Sequence, residues 1–487
     1  MIDGILKKVG LDLKIDRDAG PAVILARIPS WIDSRHTHPE NCEAPLDLGY
    51  CCTAASVRGF VPVLLDLETG VISSTDLIES VRRLCPAAVF LSGITPAVQA
   101  MLDIASKVRA AAPDCLVVAV GQHADYSPGT FLFPGSPFSL TTVGEFEETV
   151  GEVLAALRDG HDPRVAGTRS IQGTSLVTHG ERPATTDLDG LGMPDHRFFL
   201  SPVYRYLHPM RTPVRRRWGF VQASRGCPFS CIYCSKTLRT SFGPTIRNRS
   251  PESVIDEMRW LNRHGITTVV FTDDLFNSSK ERVMHLCEAI LSSGLKMGWT
   301  AEGRVKPTDL EMFKMMRRAG CSTFSMGVES GSPAILRTLD KKATVAEAER
   351  AFAQAREAGL LRVAFFMVGC PGETRYDFEM TRALLRRLKP EMIQVANFTA
   401  YPGSRAYESY LKSMNLPWER FQHYERLTNL SAESDEMVRQ WQKTLYMDLL
   451  TGGDFAFRYV LKQNVGMLLN LDREISFAMK AARKLLQ

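Results

Sequence analysis

The stretch Ser224-Arg225-Gly226-Cys227-Pro228-Phe229-Ser230-Cys231-Ile232-Tyr233-Cys234 decides how the rest of the chain is interpreted, because it holds three cysteines at C-x3-C-x2-C spacing. The apolar run 218–223 before it predicts a strand, so the cysteines fall on a loop that leaves a strand end. In α/β sheets and barrels, ligands bind at that edge. Three thiolates this close together can ligate three irons of a four-iron cluster and leave the fourth iron open.

Two other interpretations of the cysteine loop are weaker. Zinc usually takes four ligands from paired C-x2-C units, and this chain has no second pair. Three unrelated buried cysteines would not explain the glycine and proline inside the stretch or its position at a strand end. The spacing therefore favours an iron–sulfur cluster ligated by Cys227, Cys231 and Cys234.

Length and composition indicate an ordinary soluble globular protein rather than a binder of nucleic acid or a membrane protein. The chain has 487 residues, of which 45% are apolar and 23% charged, and its formal net charge is only +5. No window approaches about 18 uninterrupted apolar residues, and residues 1–8 lack the order of a signal peptide. Eleven scattered cysteines, an odd number, are typical of a reduced compartment. We therefore expect a cytoplasmic protein with about three domains.

The first third of the chain, residues 1–160, alternates strand-like and helix-like segments. This alternation predicts an open, doubly wound parallel sheet that binds ligands beyond the carboxyl ends of its strands. The five predicted strands cover residues 22–26, 61–66, 87–92, 115–120 and 138–143.

The loops after the last three of these strands resemble those of the Rossmann-like cobalamin-binding domain that precedes many radical SAM enzymes. Ser92 and Thr95 follow the third strand, Gly121 and Gln122 the fourth, and Gly144 the fifth. The resemblance implies that these residues bind cobalamin, with the first two loops lining a slot for its nucleotide tail.

One motif of that family does not match. The resemblance implies an Asp-x-His-x-x-Gly motif after the first strand, whose histidine ligates cobalt, but residues 33–39 read Asp-Ser-Arg-His-Thr-His-Pro. Three alternatives stay open: cobalamin binds without a protein ligand on cobalt, His36 or His38 serves as the ligand, or the domain has lost the cofactor.

The central part of the chain, residues 216–405, repeats strand then helix about six times, after a turn-rich connector over residues 161–215. Charged residues and glycines concentrate just after each strand, which brings them to one rim, as in a βα barrel. Six units rather than eight predict a partial (βα)6 barrel of the TIM type. The basic run 215–217 at its start is either a solvated face or a contact with an anionic group.

This central part resembles the radical SAM superfamily, and the cysteine triplet is the most specific mark of the likeness. The resemblance implies that Asp273 and Asp274 lie near the amino group of S-adenosylmethionine, that Arg304 faces its carboxylate, and that Glu329 and Ser330, in the loop that begins at Gly327, face the methionine part or the ribose. Glycine at Gly369, beside Pro371, would let the backbone approach adenine. Asn397 belongs to the last strand-end motif.

Residues 406–487 predict a helical C-terminal domain that closes the open side of the barrel. A weaker alternative is that its amphipathic last stretch, 457–486, contacts a membrane surface, which would suit a lipid or a pigment as substrate.

Together the resemblances imply a cobalamin-dependent radical SAM enzyme with a [4Fe-4S] cluster, S-adenosylmethionine and cobalamin as cofactors. It would methylate an unactivated carbon of a small-molecule or lipid-like substrate through a 5′-deoxyadenosyl radical and methylcobalamin. The alternative is ring formation or oxidative rearrangement without methyl transfer. A flavodoxin or ferredoxin would supply electrons, and no nucleic acid is expected. The sequence does not identify the substrate, a general acid or base, or the oligomeric state.

Overall fold

The computed structural model describes residues 2–13, 15–16, 19–30, 42–206, 215–234, 243–421 and 429–451. Packing divides the chain into two compact units. The first unit comprises Met1–Tyr204, Ser235–Arg247 and Ala400–Gln422, and the second comprises Arg205–Cys234, Asn248–Thr399 and His423–Gln487.

The first unit is built on one seven-stranded sheet, and several of its helices pack against one another in pairs. Its strands are β1 Ala22–Arg27, β2 Val61–Asp66, β3 Ala88–Ser92, β4 Leu116–Val120, β5 Leu140–Thr142, β6 Thr168–Gln172 and β7 Ser175–Thr178. Its helices are α1 Ile2–Lys8, α2 Leu46–Val57, α3 Ser74–Leu84, α4 Val98–Ala111, α5 Gln122–Tyr126 and α6 Glu147–Arg158.

The sheet order is β2-β1-β3-β4-β5-β6-β7, and the first five strands run parallel. Helix α2 packs against α6, and α3 packs against α4. The chain order reverses between β1 and β3, and in doubly wound sheets ligands bind at the carboxyl ends of the strands beside such a reversal. The prediction of five parallel strands is confirmed.

The sequence analysis missed the antiparallel hairpin β6–β7, which lies inside the predicted connector. These strands are short, and β7 is largely exposed, with the polar ends Ser175 and Thr178. A strand of this kind carries almost no hydrophobic alternation, so the periodicity that identified β1 to β5 was absent here.

The second unit contains an open sheet of six parallel strands in chain order, β8-β11-β12-β13-β14-β15. The strands of this sheet are β8 Trp218–Val221, β11 Thr268–Phe271, β12 Gly298–Arg304, β13 Cys321–Glu329, β14 Leu361–Val368 and β15 Met392–Asn397. Two short strands, β9 Ser224–Arg225 and β10 Arg247–Asn248, pair with each other in a separate two-stranded sheet. Its helices are α7 Pro251–Arg263, α8 Lys280–Ser292, α9 Leu310–Arg318, α10 Pro333–Thr338, α11 Val345–Glu357, α12 Arg375–Leu388 and α13 Asp435–Thr451.

Parallel strands in chain order require crossovers of one hand, which place the connecting helices on one face of the sheet. This is the topology of a partial (βα)6 barrel, so the predicted number and order of strands are confirmed. Polar caps start the connecting helices, among them Ser250, Ser279 and Thr344, and each cap stabilises its helix by about 1 kcal/mol. At Thr344 the cap forms a capping box with Glu347.

The segment after β15 differs from the predicted helical C-terminal domain. Residues 400–421 belong to the first unit, where the ring of Trp418 lies edge-on to the ring of His123 with 4.9 Å between centroids. In the second unit, α13 packs against α12 and β15. The predicted helix 457–486 lies outside the described residues, and none of the described helices is long and apolar enough to cross a membrane.

Candidate functional site

The cysteine loop leaves the carboxyl end of β8, as the sequence predicted. Its first glycine, Gly226, has φ 95°, a left-handed conformation that favours glycine. Cys231 is buried, whereas Cys227 and Cys234 are partly exposed. The backbone N–H of Cys234 donates to the carbonyl of Cys231 at 3.2 Å, which closes the turn between the last two thiols.

The electrostatics of this loop fit a bound cationic cluster. Burial, and then repulsion from Cys231 and Cys227, raises the pKa of the Cys234 thiol to about 12. Burial also raises the pKa of Cys227. The thiolate forms of Cys227 and Cys234 are therefore disfavoured without metal, and a bound metal would supply the charge that stabilises them.

Two adjacent carboxylates at the end of β11 hold the start of the cysteine loop. One oxygen of Asp273 accepts the backbone N–H groups of Ala223 and Ser224, each at 2.6 Å, and the other accepts from Arg282 at 3.1 Å. Asp274 accepts the backbone N–H of Gly226 at 2.9 Å. The structure therefore gives Asp273 a role in positioning the loop, and its contact with S-adenosylmethionine stays a prediction.

Asp273→Asn should destabilise the protein by about 2–4 kcal/mol, because the amide nitrogen cannot accept from a backbone N–H or from Arg282. Denaturant unfolding of the purified variant measures the loss. Asp256→Asn is the matched control: Asp256 forms a surface pair with Arg259 and is 69% exposed, so its replacement should cost less than about 0.5 kcal/mol. Equal losses in the two variants would refute the positioning role of Asp273.

Arg304, at the end of β12, lies against the cysteine loop. Its guanidinium stacks over the ring of Phe229 at 3.8 Å and donates to the Cys231 sulfur at 3.5 Å. It also donates to the carbonyl of Lys341. The side chain of Asn277 holds the backbone around Arg304. Its amide nitrogen donates to the carbonyls of Arg304 and Pro307, and its amide oxygen accepts the N–H of Arg304. Arg304 thus brings positive charge to the cluster site, and its predicted contact with a carboxylate remains untested.

A buried ion pair lies beside the cysteine loop and contacts Tyr233. The Nζ atom of Lys341 is 2.5 Å from Oε1 of Glu329 and 3.2 Å from the hydroxyl of Tyr233, which itself donates to Glu329 at 3.1 Å. Glu329 has φ 70°, a strained conformation for a residue with a side chain, and it follows an irregularity in the pairing of β13. Strain of this kind clusters at ligand sites.

Gly327 leaves the space that this pair occupies. A Cβ atom on Gly327 would lie 2.5 Å from Oε1 of Glu329 and 2.6 Å from Nζ of Lys341, so a larger residue would displace one of them. The predicted site residues Gly327 and Glu329 therefore lie together, and the ion pair requires a glycine at 327. The predicted contact of Gly327 with S-adenosylmethionine stays a prediction.

Sequence analysis missed Lys341 and the turn that carries it. The turn follows α10 and contacts the cysteine loop twice more: the Ile232 N–H donates to the Leu339 carbonyl at 3.0 Å, and the Ser230 hydroxyl donates to Asp340 at 3.2 Å. No periodicity or motif links residue 341 to residue 233. Only the fold could reveal this contact.

The remaining predicted residues of the second unit lie at the ends of β13, β14 and β15. The Ser330 hydroxyl is 3.0 Å from that of Thr381 on α12, so it is engaged within the protein. Gly369 has φ 76°, which favours glycine, and Pro371 is buried in the same loop. Asn397 ends β15 and is buried. Their contacts with S-adenosylmethionine stay predictions.

Glu373, in the loop after β14, is a further buried carboxyl that the sequence analysis did not single out. One oxygen accepts the backbone N–H of Cys370 at 3.0 Å, and the other has no hydrogen-bond partner among the described residues. Burial, the largest cause, raises the pKa of Glu373 from 4.5 to about 7. Between about pH 4.5 and pH 7, the carboxyl of Glu373 is therefore mostly protonated in the folded protein, whereas it would be mostly ionised in the unfolded chain.

This raised pKa predicts a pH dependence of stability. Because the folded pKa lies above the unfolded one, the contribution of Glu373 is complete below about pH 4.5 and is lost as the pH rises through about 7. Relative to Glu373→Gln, the wild type should lose about 2–3 kcal/mol between roughly pH 5 and 8. Thermal unfolding across that range measures it. Glu379→Gln on the exposed side of α12 is the control, and a wild type that follows the Glu373→Gln profile would contradict the prediction.

The first unit contains a cavity of about 410 Å³ at the carboxyl edge of its sheet. The predicted cobalamin-binding residues Ser92, Gly121, Gln122 and Gly144 all line it. Thr95 does not, because its hydroxyl is directed to Nδ1 of His123 at 3.1 Å. Four of the five residues predicted to bind cobalamin thus line one cavity. The predicted cobalt-ligand loop, residues 33–39, lies outside the described residues.

Charged residues that the sequence analysis did not select line the same cavity. Arg27 donates to both oxygens of Asp66, at 2.8 and 2.6 Å, and the hydroxyl of Tyr204 donates to Asp66 at 2.9 Å. Glu68 accepts from the N–H and the hydroxyl of Ser30, at 2.8 and 3.0 Å. Arg27 ends β1, and Glu68 follows β2. The sequences of these strands predict only that the strands are buried, and no motif marks either residue as part of a ligand site.

Comparison with known proteins defines the class to which this fold and site belong. Residues 221–385 match the Radical SAM superfamily. The chain therefore carries a radical SAM domain around the cysteine loop, and the prediction of a radical SAM enzyme is confirmed.

Individual relatives resemble most of the chain. An uncharacterized methyltransferase of Pyrococcus horikoshii is 27% identical over 413 residues, which cover 83% of this chain and 87% of the relative. The anaerobic magnesium-protoporphyrin IX monomethyl ester cyclase of Cereibacter sphaeroides is 27% identical over 374 residues, 75% of this chain but only 60% of that protein.

A solved structure shares the fold of both units. The radical S-adenosylmethionine methyltransferase TsrM of Kitasatospora setae, with cobalamin and a [4Fe-4S] cluster bound, matches with a TM-score of 0.64 at 20% identity, over 79% of this chain and 74% of TsrM. The predicted resemblance to cobalamin-binding radical SAM proteins is thereby confirmed at the level of the fold.

Proposed function

We propose that this protein is a cobalamin-dependent radical SAM enzyme that methylates an unactivated carbon of a small biosynthetic substrate. One observation carries the proposal: a single chain combines the cysteine loop at the end of β8 with the cavity at the sheet edge of the first unit, lined by four of the residues predicted to bind cobalamin. The methyltransferase names of the Pyrococcus horikoshii relative and of TsrM support it.

The residues of the second unit would hold the cluster and S-adenosylmethionine. Cys227, Cys231 and Cys234 would ligate three irons, and Asp273 would keep their loop in place through the N–H groups it accepts. Arg304 and Lys341 carry the positive charge that suits the carboxylate of S-adenosylmethionine, and Glu329 carries the negative charge that suits its amino group.

The residues of the first unit would hold the corrinoid. Gly121 has φ 98° and Gly144 has φ 63°, so both loops reach the cavity with bare backbone that lets a ligand approach closely. When bound, S-adenosylmethionine on the reduced cluster supplies a 5′-deoxyadenosyl radical, and methylcobalamin supplies the methyl group. The protein itself positions the reacting groups and excludes water.

Methylation has a signature that needs no substrate. Bound corrinoid reduced to cob(I)alamin would accept the methyl group of S-adenosylmethionine and leave S-adenosylhomocysteine. Anaerobic incubation with S-adenosylmethionine and a low-potential reductant such as titanium(III) citrate should therefore yield about one S-adenosylhomocysteine per bound corrinoid. Chromatography with mass detection measures it. Bound corrinoid that forms no S-adenosylhomocysteine would reject methyl transfer.

That negative outcome would favour the second candidate, ring formation or oxidative rearrangement without methyl transfer. The likeness to the cyclase of Cereibacter sphaeroides supports this alternative. In either case we propose a small-molecule or lipid-like substrate, a flavodoxin or ferredoxin as electron donor and a cytoplasmic location. Contact of residues 457–486 with a membrane surface remains the weaker alternative.

A further inference from the structure

Strand β12 presents its residues alternately on the two faces of the sheet, and Glu302 lies on the face away from the helices. A Cβ atom on Gly303 would meet the ring of Phe324, which packs against Phe313 of α9, so Gly303 faces the helices. Successive residues of a strand point to opposite faces. Glu302 and Arg304 therefore share the inner face of the barrel, from which Arg304 reaches the cysteine loop.

Glu302 also lies at the rim of the barrel. Ala301 pairs with Phe271, the last residue of β11, so Glu302 is one position beyond the end of that neighbouring strand. Arg304 is two residues further along the same face, roughly 7 Å away. Ligands of βα barrels bind at the carboxyl ends of the strands. A molecule that contacts Glu302 would therefore lie beside the cysteine loop.

Tyr206 orients the carboxyl group of Glu302. The hydroxyl of Tyr206 donates to Oε1 of Glu302. Tyr206 is itself buried, and its ring lies edge-on to the ring of Trp218 with 6.1 Å between centroids. The second oxygen of Glu302 has no hydrogen-bond partner in the described part of the chain. One oxygen of the carboxyl is thus held by the protein, and the other is left for a ligand.

Glu302 lacks the cationic partner that other carboxylates of this rim have. Asp273 pairs with Arg282 at 3.1 Å. Glu329 pairs with Lys341 at 2.5 Å. Among the described residues no lysine or arginine compensates Glu302, and its burial raises its pKa. A buried carboxylate is costly unless a cation pairs with it. Because Glu302 is only partly buried and faces the barrel interior, a bound molecule can supply that cation.

We propose that Glu302, oriented by Tyr206, anchors the substrate and that this substrate carries a protonated amine. The inference rests on the proposed function, because it takes the barrel as the site of the reaction, and it extends that function by naming the chemical class of the substrate. A primary ammonium group has three N–H donors, so it pairs with the free oxygen and offsets the charge of the carboxylate. An alcohol would donate a hydrogen bond but would leave that charge uncompensated.

The test titrates the reconstituted holoenzyme with three small probes that share one carbon chain: butylammonium, 1-butanol and butyrate. S-adenosylmethionine is present without reductant, so that the site proposed for its amino group is already occupied. Anaerobic calorimetry at neutral pH measures binding. The wild type should bind butylammonium at least about tenfold more tightly than 1-butanol, because the ionic partner strengthens the hydrogen bond. Butyrate should bind most weakly, because like charges repel.

Glu302→Gln should remove this preference, although its amide oxygen can still accept from Tyr206. Its affinity for S-adenosylmethionine should equal that of the wild type. Glu311→Gln is the matched control: Glu311 is 69% exposed and pairs with Lys280, so the preference should remain. Far-ultraviolet circular dichroism confirms that each variant folds.

Two results would overturn the inference and leave the proposed function standing. They are equal affinities of the wild type for the three probes, and a preference for butylammonium that survives in Glu302→Gln. A tenfold loss of affinity for S-adenosylmethionine in Glu302→Gln would assign the residue to the cofactor instead and would also overturn the inference. The proposed function fails separately, if bound and reduced corrinoid forms no S-adenosylhomocysteine.

Discussion

Replacement of Cys227, Cys231 or Cys234 by alanine should eliminate the iron–sulfur absorbance of the anaerobically reconstituted protein and its cleavage of S-adenosylmethionine. With one ligand missing, only two protein thiolates remain for a cluster that keeps one iron open for its substrate. The thiol of Cys234, whose pKa burial raises to about 12, also lacks a reason to ionise without the metal. We therefore expect activity to fall to background in each variant.

Two other cysteines provide matched controls. Cys85 is exposed and Cys287 is fully buried, and neither belongs to the cysteine loop. Cys85→Ser and Cys287→Ala should retain the cluster and the formation of 5′-deoxyadenosine, although Cys287→Ala should lower stability by about 1 kcal/mol through lost packing. S-adenosylmethionine cleavage that survives in any of the three loop variants would refute the assignment of the cluster.

Lys341→Met should produce the second largest effect. It removes the cation 2.5 Å from Glu329, and a buried charge that loses its partner costs about 3–5 kcal/mol. Lys341 and Glu329 are 5% and 9% exposed, so water cannot replace the lost pair. Denaturant unfolding should report this loss. Binding of S-adenosylmethionine should weaken by at least about tenfold, because a charge that suits its carboxylate is gone.

The neighbouring lysine separates a local effect from a general loss of charge. Lys342 is 66% exposed and pairs with Asp340, so Lys342→Met should change stability by less than about 0.5 kcal/mol. The double variant Lys341→Met, Glu329→Gln should regain stability, because no unpaired charge remains, but should still bind S-adenosylmethionine weakly. Wild-type affinity in Lys341→Met would show that Lys341 has only a structural role.

Strong local signals made much of the fold predictable. The strands β1, β3 and β4 are continuous apolar runs buried on both faces, and β8 leads directly into the cysteines. The resemblance to the cobalamin-binding domain selected Ser92, Gly121 and Gly144 as loop residues after three parallel strands. In the structure these three residues line one cavity, and their contact with cobalamin stays a prediction.

The parts that the sequence could not predict depend on contacts between distant residues. Lys341 reaches Tyr233 across 108 positions, and Tyr204 reaches Asp66 across 138 positions, without any shared motif. The helical C-terminal domain over residues 406–487 was predicted from helical periodicity, but periodicity does not say which surface a segment covers. In the structure, Trp418 packs on the core of the first unit instead.

The most direct test of the account measures the two cofactors on one chain. The protein is reconstituted anaerobically with iron, sulfide and a cobamide, freed of unbound cofactor by gel filtration, and analysed for iron and corrinoid before reduction with S-adenosylmethionine. The account predicts about four irons and one corrinoid per chain, with formation of 5′-deoxyadenosine. A protein that holds the cluster and cleaves S-adenosylmethionine but retains no corrinoid would contradict it.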